Sequence, residues 1–247
     1  MNKSFLFSSA YLLFISSALP AAAIPPAEVS KKLDSIIIFA PIDPSSPNDP
    51  LPIKMRLDSK SRSVYFAAFS PSAVQQIIND RFVPQRIKNA KNIKFAPYSL
   101  SKFDSIVQSE LKDNSNARVV YVPDPVQVPF AKKLLIKQGT SLKDAQAVSS
   151  KVPVVFCPSP SIKATPNTGP LKGKSFVPCS MDFKSVQDMI DKGVATNAEL
   201  KAKSPSVVAI PVTTFTSLLA KSPEKEVRDL RVLPNPANIK AIQDLKN

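Results

Sequence analysis

Two stretches of the chain spell nearly the same thing 112 positions apart: "SVYFAAFSPSAVQQIIND" at 63 to 80 and "SFVPCSMDFKSVQDMIDK" at 175 to 192. Each runs from apolar strand residues through a turn into a helix with one apolar face. Ser63 aligns with Ser175, Val74-Gln75 with Val186-Gln187 and Ile78 with Ile190, without a gap. The flanks keep the same order. Phe39 in "IIIFAP" matches Phe156 in "VVFCP", each strand ending at a proline, and "IKFAPYSLSKFDSIV" (93 to 107) matches "VVAIPVTTFTSLL" (207 to 219). Matched stations in one order mark a duplication. The expected fold is therefore α/β, with two pseudo-symmetric β-β-β-α-β-α halves joined by a strand-helix segment.

Within the first half, continuous apolar runs predict strands at 36 to 40, 63 to 69 and 93 to 97, with a short pairing strand at 52 to 57. Ser70 caps the next helix and Pro71 takes its first position, where a missing N–H costs nothing. Val74, Ile77 and Ile78 form that helix's apolar face, and Phe103, Ile106 and Val107 form the next one behind Ser99. In the second half Asp182 replaces Ser70 as cap, Val186, Met189 and Ile190 repeat the face, and Gly193 serves as a C-terminal stop. The spacing divides the chain into a first half at 24 to 115, a connecting segment at 116 to 151, a second half at 152 to 221 and a charged tail at 222 to 247. The connector carries a strand at 118 to 122, a helix begun by Pro129 and a helix capped by Ser141. In the tail, "NPANIKAIQDL" predicts a final short helix.

Residues 1 to 23 read as a cleaved secretory signal. Lys3 precedes the apolar stretch "FLFSSAYLLFISSAL", and Ala21-Ala22-Ala23 offers a small-residue cleavage site. Export sets the context for Cys157 and Cys179, each near the end of a predicted strand. Adjacent parallel strands would bring the two within bonding reach. One intervening strand would hold them about 9 to 10 Å apart, beyond it. The sequence leaves both a disulfide and two buried thiols open.

The chain has no histidine and only four glycines, which removes the commonest general base and any phosphate-cradling loop. Asp43 and Asp49 lie in a Pro-rich loop and Asp182 at a helix start, where aspartate serves turns and caps. No catalytic residue, cofactor or metal is assigned. A carboxylate-dependent hydrolase needs two acids converging in a cleft. Lys and Arg number 33 against 19 acids, a net charge of +14 that favours acidic proteins or anionic lipid. Those cations are scattered and lack the basic helix or aromatic strand of a nucleic-acid binder.

The succession "IIIFAP", "VYFAAFSPSAVQQII", "KFAPYSLSKFDSIV", "VYVPDPVQVPFAKKLL", "VPVVFCP", "SFVPCSMDFKSVQDMI" and "AIPVTTFTSLL" resembles the twenty-two-kilodalton Tic proteins of the chloroplast envelope import machinery, in their cyanobacterial form. It covers about 36 to 221. The resemblance implies a pseudo-twofold protein with apolar grooves. It implies a non-enzymatic soluble chaperone or escort for proteins crossing the space between membranes, supporting import and outer-membrane biogenesis. The partners it implies are unfolded or partly folded clients and the POTRA domains of the outer-membrane assembly barrel; the compartment is the periplasm, with the thylakoid lumen second. Tyr65, Phe69, Tyr98 and Tyr121 are the candidate groove walls, because aromatic side chains supply large contact area and tyrosine tolerates a wet edge. The competing reading is a structural adaptor docking by charge on an acidic protein or in peripheral contact with an anionic membrane.

Overall fold

The computed structural model describes residues 24–57, 60–82, 92–113, 116–168, 172–222 and 225–245. The expected leader at 1 to 23 lies outside the described residues. Helix α1 (Pro26–Leu33) leads into β1 (Ile37–Ile42), β2 (Ile53–Leu57), β3 (Lys60–Ala68), α2 (Pro71–Ile77) with a π-turn over Ile78–Phe82, β4 (Lys94–Ser99), α3 (Leu100–Asp113), β5 (Ala117–Val122), α4 (Val128–Lys137) and α5 (Leu142–Lys151). The chain then repeats itself through β6 (Val154–Ser159), β7 (Val177–Ser180), α6 (Phe183–Thr196), α7 (Ala198–Ala202), β8 (Ser206–Pro211), α8 (Val212–Lys221), α9 (Lys225–Asp229), β9 (Leu230–Leu233) and α10 (Pro236–Asp244).

Register makes the duplication quantitative. In the first sheet β4 pairs β1 antiparallel, β1 pairs β3 antiparallel at Phe39 and Ala68, and β3 pairs β5 parallel. In the second sheet β8, β6, β7 and β9 repeat this order and these directions, with Phe156 opposite Ser180. Hydrogen bonds repeat too. Ser70 Oγ accepts from the Ala73 N–H and Asp182 Oδ2 from the Ser185 N–H, while Gln75 donates to Asn79 and Gln187 to Asp191. Each pair of bonds is separated by the same 112 residues that separate the sequence stretches.

The second half shortens one element. Strand β2 pairs β3 over Ile53 to Leu57, whereas its counterpart is a single bridge, Ala164 to Phe176, at the place of the Ile53–Val64 pair. Two segments sit differently from their sequence reading. Strand β5, read as part of a connector, completes the first sheet, and the residues after 222, read as a tail, supply β9 to the second. Gly193 does not stop α6, which runs on to Thr196. A Cβ at Gly193 would stand 2.8 Å from Leu200 Cδ2, so the missing side chain makes room for α7 to fold back on α6.

Three apolar clusters hold these layers. The central one joins the inner residues of both sheets, such as Ile38, Ala40, Tyr65, Ala67, Val155 and Val177, to α1, α3 and α8. The outer face of the first sheet meets α2, with Ala241 and Ile242 of α10 packed on the same cluster. The outer face of the second sheet meets α6, together with α4 and α5. Each half thus lends a helix to its neighbour: α4, which follows β5, lies on the second sheet, and α10, which follows β9, lies on the first. Because both faces of each sheet are covered, its strands read as unbroken apolar runs.

The outer edges are closed in two ways at one equivalent position. On β8 the Gln138 amide donates to the Ala209 carbonyl at 3.1 Å and accepts from its N–H at 2.8 Å. The matching residue of β4 is Pro97, opposite Phe39 as Ala209 is opposite Phe156. Proline has no N–H to offer a stray strand.

Lys32 ties α1 to the second half. It is 3% exposed, and its Nζ donates to the carbonyls of Leu230, at 3.0 Å, and Arg228. Burial, reinforced by the Arg231 cation, lowers its pKa from 10.5 to about 8, against the weaker pull of Glu28 and Asp229. Between those values the unfolded chain holds a proton that the native chain has lost, so this group's contribution to stability is present above 10.5 and fades as pH falls through about 8. The urea midpoint is expected to rise from pH 8 to 10, and the rise to vanish in Lys32→Met; an unchanged rise in the variant would contradict the assignment. Above pH 10 the trend reverses, because burial raises Tyr98 from 10.0 to about 12 and its stabilisation is lost as pH climbs through that interval.

Candidate functional site

Cys157 and Cys179 form a disulfide with their Cα atoms 4.4 Å apart. Their strands are adjacent, as bonding requires, but antiparallel rather than parallel. The register that sets Phe156 opposite Ser180 also sets Cys157 opposite Cys179. Both cysteines belong to the central cluster, 3% and 0% exposed. Such bonds form and persist in oxidising compartments.

The aromatic residues expected to wall a groove are found in that same cluster. Tyr65, Phe69 and Tyr98 are 6%, 2% and 5% exposed. Tyr121 is half-buried beside Phe69, their ring centroids 6.3 Å apart, and its hydroxyl donates to Asp104 Oδ1 at 2.7 Å. Burial first, then the Asp104 charge, raises the Tyr121 pKa far above its ordinary value. Tyr98 packs edge-on to Phe103. The three tyrosines pack toward α3 from the inner face of the first sheet, and Phe69 lies beside Tyr121 in the same central cluster.

Where the two halves meet, the β5–α4 turn joins the start of α6. Gln127 Nε2 donates to Asp182 Oδ1 at 2.9 Å, and the Phe183 N–H donates to Gln127 Oε1 at 3.0 Å. Asp182 Oδ2 meanwhile caps α6. Asp124 lies close by, its pKa raised by burial and, to a smaller degree, by the Asp182 carboxylate. The cavity here, lined by Phe69, Asp124, Gln127, Ala131 and Met181, has a volume of about 10 Å³, enough for about one water. It seats no substrate. Asp43, one of the two carboxylates singled out in the Pro-rich loop, accepts from the Ser45 N–H and hydroxyl, which hold its pKa below the ordinary value. Among the described residues no group of three or more His, Cys, Asp or Glu is placed to hold a metal.

Exposed apolar surface is concentrated elsewhere. Of nine large apolar side chains that stand exposed among the described residues, Val126, Phe130, Ile136 and Leu142 lie within 126 to 142, which singles out the α4–α5 hairpin. Helix α4 turns Ala131 and Leu135 into the second sheet. At 100° per residue this leaves Phe130, Lys133, Ile136 and Lys137 on the outward side. Phe130 stacks flat on half-buried Phe183, with centroids 4.6 Å apart and planes 8° from parallel. Phe183 in turn meets Phe156 edge-on, so the exposed ring rests on an aromatic column reaching into the core. The sequence signal was the helix itself: once 131 and 135 are assigned inward, 130 and 136 have nowhere to go but out.

A second surface is basic. The β2–β3 hairpin, matched in the described residues of the second half by the single Ala164–Phe176 bridge, carries exposed Lys54, Arg56 and Lys60.

No family model matches the sequence, and no curated protein matches it. Solved structures do. "Anabaena Tic22 (protein transport)" superposes with a TM-score of 0.67 at 16% identity, over 90% of this chain and 97% of that one. "Tic22 from Plasmodium falciparum" gives 0.62 at 15% identity, over 88% and 97%. At such identities the likeness establishes the fold: this chain has the two-half α/β fold of the Tic22 structures, as the sequence resemblance implied. No helix among the described residues is long and apolar enough to cross a membrane.

Proposed function

We propose that the chain serves protein transport as a non-enzymatic escort, holding unfolded or partly folded clients on the outward face of α4 and α5. The observation that carries this reading is the mixed character of that face. Exposed Phe130 and Ile136 on α4, Val126 just before it and Leu142 at the start of α5 alternate along the chain with Lys133, Lys137 and Lys143. Scattered single apolar residues need no explanation, but several gathered on one helical hairpin mark an interaction site. The fold shared with the Anabaena protein, whose title carries protein transport, supports it. The core disulfide agrees with an exported, oxidising location, the periplasm first and the thylakoid lumen second. Outer-membrane β-barrel precursors are the clients we expect there, with the POTRA domains of the assembly barrel as the receiving partner.

Aggregation of a denatured outer-membrane β-barrel protein on dilution tests this directly. The mature protein is expected to suppress aggregation at low and at high salt, and Phe130→Asp with Val126→Asp to reduce that suppression at least severalfold under both conditions. Val126 is 64% exposed, whereas Phe130 gives up its stack on Phe183, so circular dichroism of the variant is the control that the fold is kept. Suppression that is indifferent to these substitutions would remove α4 from the account. Suppression lost in salt and in Lys54→Glu with Arg56→Glu would favour the adaptor reading, in which the basic β2–β3 hairpin docks on an acidic protein.

A further inference from the structure

We propose that α10 is a displaceable strap, and that the face of the first sheet beneath it is a binding site for a short amphipathic helix from another protein. The inference starts from an inequality between two equivalent helices. "VPDPVQV" before and into α4 and "LPNPANI" before and into α10 are the same motif, 111 residues apart, with Gln127 matched by Asn238. Each motif delivers a helix to the other half's sheet, on the outer side that carries α2 in the first half and α6 in the second. The two helices are held very differently.

Helix α4 is fastened along its length. Both ends of the Gln127 amide are bonded, Gln138 clasps Ala209, Ala131 and Leu135 are buried, and α5 packs against it. Helix α10 buries only Asn238. The Asn238 Nδ2 makes two long bonds, 3.4 Å to the Ile37 carbonyl and 3.2 Å to the Phe69 carbonyl, while its Oδ1 is buried without a partner. An orphaned buried acceptor costs about 1 to 3 kcal/mol, which offsets much of what the two bonds contribute. Ala241 and Ile242 are only half-buried, and Ile239 and Leu245 stand 41% and 50% exposed. Contacts this sparse belong to the low-stability end of a structure, where local opening is cheap.

What α10 covers defines what can replace it. The cluster that receives Ala241 and Ile242 also holds Phe39, Val64, Phe66 and Phe95; of the two carbonyls met by Asn238, that of Ile37 belongs to a residue packed on this cluster and that of Phe69 to a residue of the central one. The fitting ligand is a helix with a side-chain donor in its first turn and a small and a branched aliphatic residue three and four positions later, the pattern Asn238, Ala241, Ile242 itself shows. Helix-in-groove recognition uses this spacing. A ligand whose donor group carries no second, unsatisfiable acceptor gains over α10, which otherwise competes at the high effective concentration of a tethered segment. This site lies on the opposite sheet from the α4 face and its test involves no client, so its failure leaves the proposed function standing.

The experiment uses the full chain, its Ile242→Asp variant, and a labelled peptide of residues 234 to 245 as the probe. Hydrogen exchange on the unaltered chain is expected to show α10 amides opening at least a hundredfold faster than those of α4, and Ile242→Asp to bind the peptide at least tenfold tighter than the unaltered chain does. An Asn238→Ala peptide should bind within a few-fold of the parent peptide, because the orphaned acceptor leaves together with the two long bonds it offsets. Equal protection of α10 and α4, or equal peptide binding by both chains, overturns the proposal. So does a concentration-dependent dimer in which α10 gains protection, since the occupant is then a second copy. Should the variant fail to fold, the exchange comparison on the unaltered chain decides alone.

Discussion

Replacing Cys157 and Cys179 together with alanine is expected to lower the stability of the oxidised protein by about 3 kcal/mol, with no change of fold. The bond spans a separation of 22 residues, and closing a loop of that length in the unfolded chain accounts for about 3 kcal/mol on the chain-entropy model. Both sulfurs lie in the central cluster, so the alanines also leave a void at a position that cannot drain to solvent. The loop in question, from the end of β6 to the end of β7, contains the Pro-rich stretch that in the first half is replaced by the β2–β3 hairpin. Here one bridge, Ala164 to Phe176, stands in for that hairpin's five pairs. The covalent link therefore joins β6 to β7, whose ladder shows a single Cα pair, Phe156 with Ser180. Urea unfolding with and without the pair measures this; a loss under about 1 kcal/mol would mean that the loop is already constrained in the unfolded chain.

The duplication was legible because its carriers are local. Ser70 and Asp182 cap helices at fixed spacing, Pro71 pre-sets a first turn, and the strands before them are apolar without interruption; each is decided within a few residues. What the sequence left open depends on which strands lie side by side. The disulfide needed β6 and β7 to be neighbours, and no local pattern states adjacency. The swapped helices were hidden for a related reason. The β5 and β9 segments share only a short motif, Pro-Asp-Pro against Pro-Asn-Pro, and α10 is more polar than α4, so the two read as a connector and a tail.

The aromatic residues show the limit of composition as a guide to surface. Tyr65, Phe69 and Tyr98 sit on strand faces turned toward the other half, and a strand that is apolar on both sides does not say which side will be covered. Here helices cover the outer faces, while α1, α3 and α8 fill the space between the inner ones, so the tyrosines are inside. The exposed apolar residues come instead from α4, whose apolar positions exceed what one contact face can bury. Phe130 stays out because Ala131 and Leu135 are in, and its stacking on Phe183 was invisible until the start of α6 was placed beside α4.

The central cluster makes a last prediction, on how the halves depend on each other. Phe103 in α3 and Phe215 in α8 are equivalent under the 112-residue repeat, and both are fully buried in that cluster, at 0% and 1% exposure. Each Phe→Ala substitution is expected to cost about 3 to 5 kcal/mol, the range for a buried aromatic that leaves a cavity. If the halves were separate folding units, either substitution would split the urea transition, with one half melting early. The residues that share the cluster argue otherwise. Ile38 and Ala40 from the first sheet, Val155 and Val177 from the second, and α1 fastened by Lys32 to the Leu230 carbonyl all lose packing together. Both variants should therefore unfold in one transition at lower urea, with an unchanged slope and with far-ultraviolet circular dichroism and tyrosine fluorescence moving in step. A biphasic curve for either one would show that the two sheets share a boundary rather than a core.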